Sequence, residues 1–200
     1  MSTAPACTYS VEEYLALERQ SETRHQYYRG EIFAMTGGSF QHATIISNLV
    51  FRARSALRDS GCQALPSDMR VKCPSGLYTY PDVVVICGDP QLEDSYRDTL
   101  VNPLVIFEVL SPSTEAYDRS KKFESYRGIE SLREYVLVAQ DQMHVEHFVR
   151  QRDANHWDMH ILRRAEEELS ISNGQGRLKL SEIYENVEFA PANADSQPAN

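Results

Sequence analysis

Two short apolar runs constrain this chain more than any other feature. Asp82-Val83-Val84-Val85-Ile86 and Leu104-Val105-Ile106-Phe107-Glu108-Val109-Leu110 are rich in β-branched residues and do not alternate with polar ones. Such runs predict central strands covered on both faces, so the remaining chain has to supply two covering layers. Each run carries an acid: Asp82 opens the first and Glu108 interrupts the second. A bare carboxylate in a buried strand costs several kcal/mol unless something compensates it. Two readings are open. In one, Asp82 caps a strand end and Glu108 pairs with an Arg or Lys. In the other, the strands are neighbours and the carboxylates meet. They would then repel, and one would hold a proton unless a cation sat with them. Mg²⁺, which takes one or two carboxylates and fills its other positions with water and phosphate oxygens, resolves that conflict.

The other elements follow from local signals. Ser10 with Glu13 has capping-box spacing and predicts a helix through Leu17. His25 to Met35 reads as a hairpin with Gly30 near its turn, and Gly37-Gly38-Ser39 stops the chain and offers an N-cap. In the helix that follows, Ile45, Leu49 and Ala53 share one face, and Gly61 closes it. Gln63–Leu65, Met69–Cys73, Glu134–Val138, His144–Val149 and Trp157–Leu162 read as further strands. The acidic stretch from Gly88 to Asn102 reads as a loop. Ser111-Pro112-Ser113-Thr114 ends the second apolar run and opens a helix to about Arg127. The order predicts an α/β (α+β) domain with helices packed on a central sheet. Residues 1–9 read as a flexible start, 10–190 as one domain, and 191–200, low in large apolar residues, as a disordered tail.

Composition narrows the function classes. The net charge of −9 argues against indiscriminate nucleic-acid binding, yet leaves room for a local basic groove or a cation site. No apolar run approaches the roughly 18 residues of a membrane span, and the segment MSTAPACTYSVEEY lacks the pattern of a secretory signal. The four cysteines are scattered without a CxxC pair; three read as small core residues, and a cytoplasmic, reducing location is expected. His144 and His147 fall on opposite faces of a strand, which does not suit chelation. Glu166-Glu167-Glu168 reads as a solvated turn.

The helix after Thr114 sharpens the question. Asp118, Lys122 and Tyr126 are four apart and share a face. By spacing alone this is an ion pair on a solvated helix. Alternatively, Lys122 sits over the carboxylate pair, where an ammonium could orient water and stabilise developing phosphorane charge.

Pro81-Asp82, then Glu108-Val109-Leu110, then a lysine displaced onto the next helix, resembles the PD-(D/E)XK nuclease superfamily. More closely, the chain is similar to the Uma2 (DUF820) family of restriction-endonuclease-like proteins, through YRGEIFAMTGGSFQH, YPDVVVI, FEVLSPSTEAYDRSKKFESYR and SLREYVLV. The resemblance implies a restriction endonuclease-like fold with a central mixed sheet flanked by helices. It implies Asp82 and Glu108 as metal-binding acids for Mg²⁺ or Mn²⁺, joined by the Val109 carbonyl. Leu110 stands where the superfamily usually has its lysine, and Lys122 on the helix matches the displaced position; Lys121 is the weaker candidate. His42 and Glu31 match family positions as accessory residues, although His42 could equally cap its helix and Glu31 could be a salt-bridge partner. The activity implied is hydrolysis of DNA phosphodiester bonds, with Arg119 and His42 assisting and a homodimer cutting both strands. The alternative is a catalytically inactive binding or regulatory module on the same fold.

Overall fold

The computed structural model describes residues 8–35, 37–153 and 156–189. The two apolar runs become β6 (Val83–Cys87) and β8 (Val105–Leu110), neighbours in an antiparallel pair whose register sets Val83 opposite Phe107 and Val85 opposite Val105. They lie inside a six-stranded sheet completed by β3 (Cys62–Pro66) beside β6, then β9 (Glu134–Ala139), β10 (Val145–Arg150) and β11 (Trp157–Leu162) beyond β8. The sheet is mixed, because β8 and β9 run parallel and the other pairs antiparallel.

Strand alternation sorts these residues onto two faces. Val83, Val85, Val105, Phe107 and Val109 enter one core. The 17-residue helix α2 (Phe40–Ala56) covers that face with Ile45, Leu49 and Ala53, aided by β12 (Glu168–Ile171), β13 (Gly176–Lys179) and the short α5 (Leu180–Ile183). Val84, Ile86, Ile106 and Leu110 enter a second core. Here the cover is a second sheet together with a helical segment. The five strands of that sheet run in the order β2 (Glu31–Ala34), β1 (His25–Tyr28), β5 (Leu77–Thr79), β4 (Arg70–Lys72) and β7 (Thr99–Leu100). The helical segment comprises α3 (Glu115–Tyr117), a π-helical stretch Asp118–Lys122 and α4 (Phe123–Arg127). Each fully buried aliphatic or aromatic side chain in such cores contributes about 1.5–3 kcal/mol, which explains why both faces of β8 must be covered.

Local signals acted as expected at several points. The N-terminal α1 (Val11–Glu18) carries the Ser10/Glu13 capping box. The β1–β2 hairpin turns through Arg29 and Gly30, both at positive φ, as a two-residue type I′ turn requires. Tyr9 is tied to that hairpin through its own N–H to the Gly30 carbonyl, at 2.9 Å, and by the Tyr27 hydroxyl on its carbonyl. Most of the predicted flexible start and the whole predicted tail, 191–200, lie outside the described residues.

Two expectations need correcting. The stretch 88–102 is not wholly loop: Thr99 and Leu100 form β7, paired parallel to β4, with Leu100 buried. Cys62 and Cys87 are not separate core thiols. They face each other across the β3–β6 pair and form a disulfide, leaving Cys73 as the free, buried cysteine among the described residues. Sequence spacing could not show this, because strand register alone brings them together, and it removes the cysteine ground for expecting a reducing compartment.

Candidate active site

Glu108 lies in the middle of β8 on the face of Ile106 and Leu110, and is only 2% exposed. Three groups from the helical segment close over it. Lys122 Nζ is 2.9 Å from Glu108 Oε1 and 3.2 Å from Asp118 Oδ1. The fully buried Tyr126 donates its hydroxyl to the same Oε1 at 2.8 Å. The i, i+4, i+8 series seen in the sequence therefore faces the sheet and not solvent. Its geometry depends on the π segment, whose Asp118 carbonyl accepts a 3.0 Å hydrogen bond from the buried Tyr135 hydroxyl on β9. Widened turns of this kind recur at functional sites.

Asp82 stands just before β6, where continuation of the β6–β8 register sets it opposite Glu108. The ladder ends at Val83, and the Asp82 carboxylate takes the next donor, Val109 N–H, at 2.7 Å. Asp82 thus does cap the strand end, as one of the two readings had it. It also faces His42, whose Nε2 is 3.4 Å from Asp82 Oδ2. His42 lies in the first turn of α2, whose N-cap Ser39 accepts the His42 N–H at 3.1 Å. Gly38 makes this possible: a Cβ there would collide with the His42 ring. The chain leading into Asp82 is anchored by Tyr80, whose hydroxyl donates to Glu18 at 2.9 Å and accepts from the buried Arg70 at 3.0 Å. A cleft of about 370 Å³ opens beside Asp82 and His42, with Arg24, Gly37 and Gly38 among its lining.

The electrostatics are those of an acid-rich cluster. Burial pushes the Glu108 carboxyl up to about 8; Lys122 opposes this, while Asp82 and Asp118 add to it. Burial disfavours the Lys122 ammonium, but Glu108, Asp118 and Asp82 outweigh it and hold the lysine charged. His42 follows the same logic: burial works against its cation, the Asp82 hydrogen bond and charge and the Val109 backbone more than offset it, and its pKa rises. Three carboxyl groups crowd around one ammonium, and without a cation Glu108 relieves the crowding by keeping its proton up to about 8. Such crowding of hard oxygen donors suits a divalent cation of the Mg²⁺ type. Among the described residues no three His, Cys, Asp or Glu side chains are already arranged as a metal cage. Mg²⁺ does not need one, since one or two carboxylates suffice.

The remaining predicted residues fall elsewhere. Glu31 is exposed on the edge strand β2, and among the described residues its carboxylate has no hydrogen-bond or ion-pair partner. Lys121 is exposed, one residue from Lys122 but on another side of the helix. Arg119 pairs with Glu115 at 2.7 Å and with Glu146 on β10 at 2.5 Å. Asp68 is an exposed partner of Arg24. His147 is buried against Glu134 at 2.9 Å, while His144 pairs with Glu146. Asp118 and Tyr126 are the site residues to which sequence reasoning gave no chemical role. Their spacing was the available signal, but only the tertiary fold shows what they face.

A mixed central sheet covered by α2 on one face and by a second sheet with a helical segment on the other is a restriction endonuclease-like α+β fold. The crystal structure of a putative nuclease belonging to DUF820 from Anabaena variabilis shares that fold, with a TM-score of 0.70, 17% sequence identity, and coverage of 88% of this chain and 97% of that one. The chain belongs to the Uma2 family, described as "Putative restriction endonuclease", whose model matches residues 11–181. Two uncharacterized Synechocystis proteins are also similar. One, slr1290, is 36% identical over 154 residues, covering 76% of this chain and 80% of that protein. The other, sll1609, is 35% identical over 149 residues, covering 74% and 84%.

Proposed function

We propose that this protein is a metal-dependent endonuclease that hydrolyses DNA phosphodiester bonds, with Asp82 and Glu108 as metal-binding acids and Lys122 positioning the attacking water or stabilising transition-state charge. The observation that carries this reading is the convergence of Lys122 on Glu108, 2.9 Å apart, beside an acid-rich strand end. A Mg²⁺ or Mn²⁺ ion held by Asp82, Glu108 and the Val109 carbonyl would lower the pKa of a bound water and polarise the phosphate. The protein's own groups account for the rest. Lys122, kept charged by its three acidic neighbours, supplies a buried ammonium that can hold an attacking water or offset phosphorane charge. His42, on the cleft side of Asp82, can hold a proton near a phosphate oxygen, because its raised pKa keeps it charged further up the pH scale. Tyr126 orients the Glu108 carboxylate through a single oxygen. The family description and the nuclease-like neighbour support the reading. DNA as substrate, and a homodimer whose two sites cut opposite strands, belong to the same proposal.

The test uses plasmid and single-stranded DNA incubated with purified protein in Mg²⁺, Mn²⁺ or EDTA, alongside Asp82→Ala and Lys122→Ala. Cleavage that needs metal and disappears in both variants is the expected result. Cleavage that survives Asp82→Ala would assign the activity elsewhere. Intact DNA in every metal would leave the fold as a binding or regulatory module.

A further inference from the structure

Lys122 poses a difficulty for any cation at Glu108. The ammonium is 7% exposed and sits on the very carboxylate that the cation would take. If Glu108 turns to a metal, Lys122 loses its 2.9 Å partner, and a buried ammonium left without one costs several kcal/mol. The structure contains a second acceptor. Asp118 is 3% exposed, and its Oδ1 is buried without a hydrogen bond. That oxygen lies 3.2 Å from Lys122 Nζ, within ion-pair reach. The Asp118 contact is the longer of the two ion pairs and lacks hydrogen-bond geometry, so its oxygen has bonding capacity in reserve for the ammonium. The backbone beneath it is held in place by Tyr135, which bonds the Asp118 carbonyl at 3.0 Å.

Resting on the metal reading above, we infer that Asp118 is a positioning residue that receives the Lys122 ammonium when Glu108 binds a divalent cation. The lysine shifts from a Glu108-centred to an Asp118-centred ion pair, without leaving the site or losing its charge. Asp118 acts through Lys122 and does not itself ligate the cation. It thereby frees Glu108 for the metal while keeping the ammonium within the site for the substrate.

A double-mutant cycle on Mn²⁺ binding, followed by calorimetry and by the Mn²⁺ electron paramagnetic resonance signal, tests this without recourse to cleavage. Asp118→Asn removes the receiving charge and is expected to weaken Mn²⁺ binding by about tenfold, since freeing Glu108 then strands a buried ammonium. Lys122→Gln removes the competitor and is expected to bind Mn²⁺ at least as tightly as the wild type. The double variant Asp118→Asn/Lys122→Gln is expected to bind like Lys122→Gln alone, because with no lysine to receive, Asp118 has no role. A double variant as weak as Asp118→Asn would make Asp118 a metal ligand and overturn the inference. Unchanged Mn²⁺ affinity in Asp118→Asn, with only a lower melting temperature, would make its role merely structural and also overturn it. Should the double variant fail to fold, Asp118→Asn and Asp118→Glu decide: recovery of affinity by the carboxylate-bearing Glu supports the inference, and equal affinities in both overturn it. A wild-type protein that binds no Mn²⁺ would overturn the metal reading itself, an outcome distinct from all of these.

Discussion

Replacing Lys122 by Met isolates what its ammonium does, because Met retains most of the buried stem and removes the charge. In the metal-free protein that charge faces Glu108 at 2.9 Å and Asp118 at 3.2 Å, and the two carboxylates are 3% and 4% exposed. Breaking a buried ion pair by removing one partner costs about 3–5 kcal/mol, because the other charge is stranded. For a domain of this size each kcal/mol shifts the melting temperature by about 2–4 °C, so a fall of about 10 °C is expected near pH 8.5. The loss must depend on pH. Glu108 is held protonated up to about 8, chiefly by burial, so in acid it needs the lysine less. Near pH 5.5 the penalty should shrink to about 1–3 kcal/mol, that of one carboxylate left short of a partner. Adding Glu108→Gln to the Lys122→Met protein should recover much of the alkaline loss. Urea denaturation in EDTA at both pH values measures all three quantities. A loss identical at the two pH values, or below about 0.5 kcal/mol at either, would refute the claim that Lys122 compensates Glu108.

Three further outcomes follow from the same geometry. With EDTA present, wild-type stability should fall as pH rises from about 5 to about 8. Across that interval the folded state holds a proton on Glu108 that the unfolded chain releases near its ordinary value of 4.5, and the raised His42 pKa acts with the same sign; a melting temperature that climbed over this range would contradict both. Tyr126→Phe removes the 2.8 Å donor to Glu108 from a fully buried position and should cost about 1.5–3 kcal/mol in equilibrium unfolding near pH 8.5, where Glu108 is ionised, the range for a hydrogen bond to a charged group. Gly38→Ala should leave the fold intact but displace His42, seen as a changed His42 imidazole titration by NMR; an unaltered titration would mean that the Gly38 contact does not hold the ring.

Much of this molecule was legible in its sequence, for identifiable reasons. Short runs rich in β-branched residues suit central strands, so β6 and β8 followed from composition over five to seven residues. The capping box at Ser10, the turn at Gly30 and the N-cap at Ser39 are local hydrogen-bonding signals that no distant contact overrode. Glu108 announced itself because an acid in such a run demands compensation, and Lys122 with Asp118 and Tyr126 announced a shared helix face by spacing. Which way that face points is not a local property. A helix with i, i+4 charges is equally sound facing water. Only the packing of the helical segment over β8, with its π turn held by Tyr135, turned the series onto Glu108. The same limit applies to Arg119, whose partner Glu146 lies 27 residues away, and to Cys62 and Cys87, which register alone makes opposite. It applies to Thr99 and Leu100, which are too short to carry a strand signal and become β7 because β4 offers an edge. Sequence determined which residues had to be buried and which of those carried an unpaid charge. Tertiary structure decided which partners met that charge, because compensation at 3 Å depends on register and helix packing, and neither is written in any short stretch of chain.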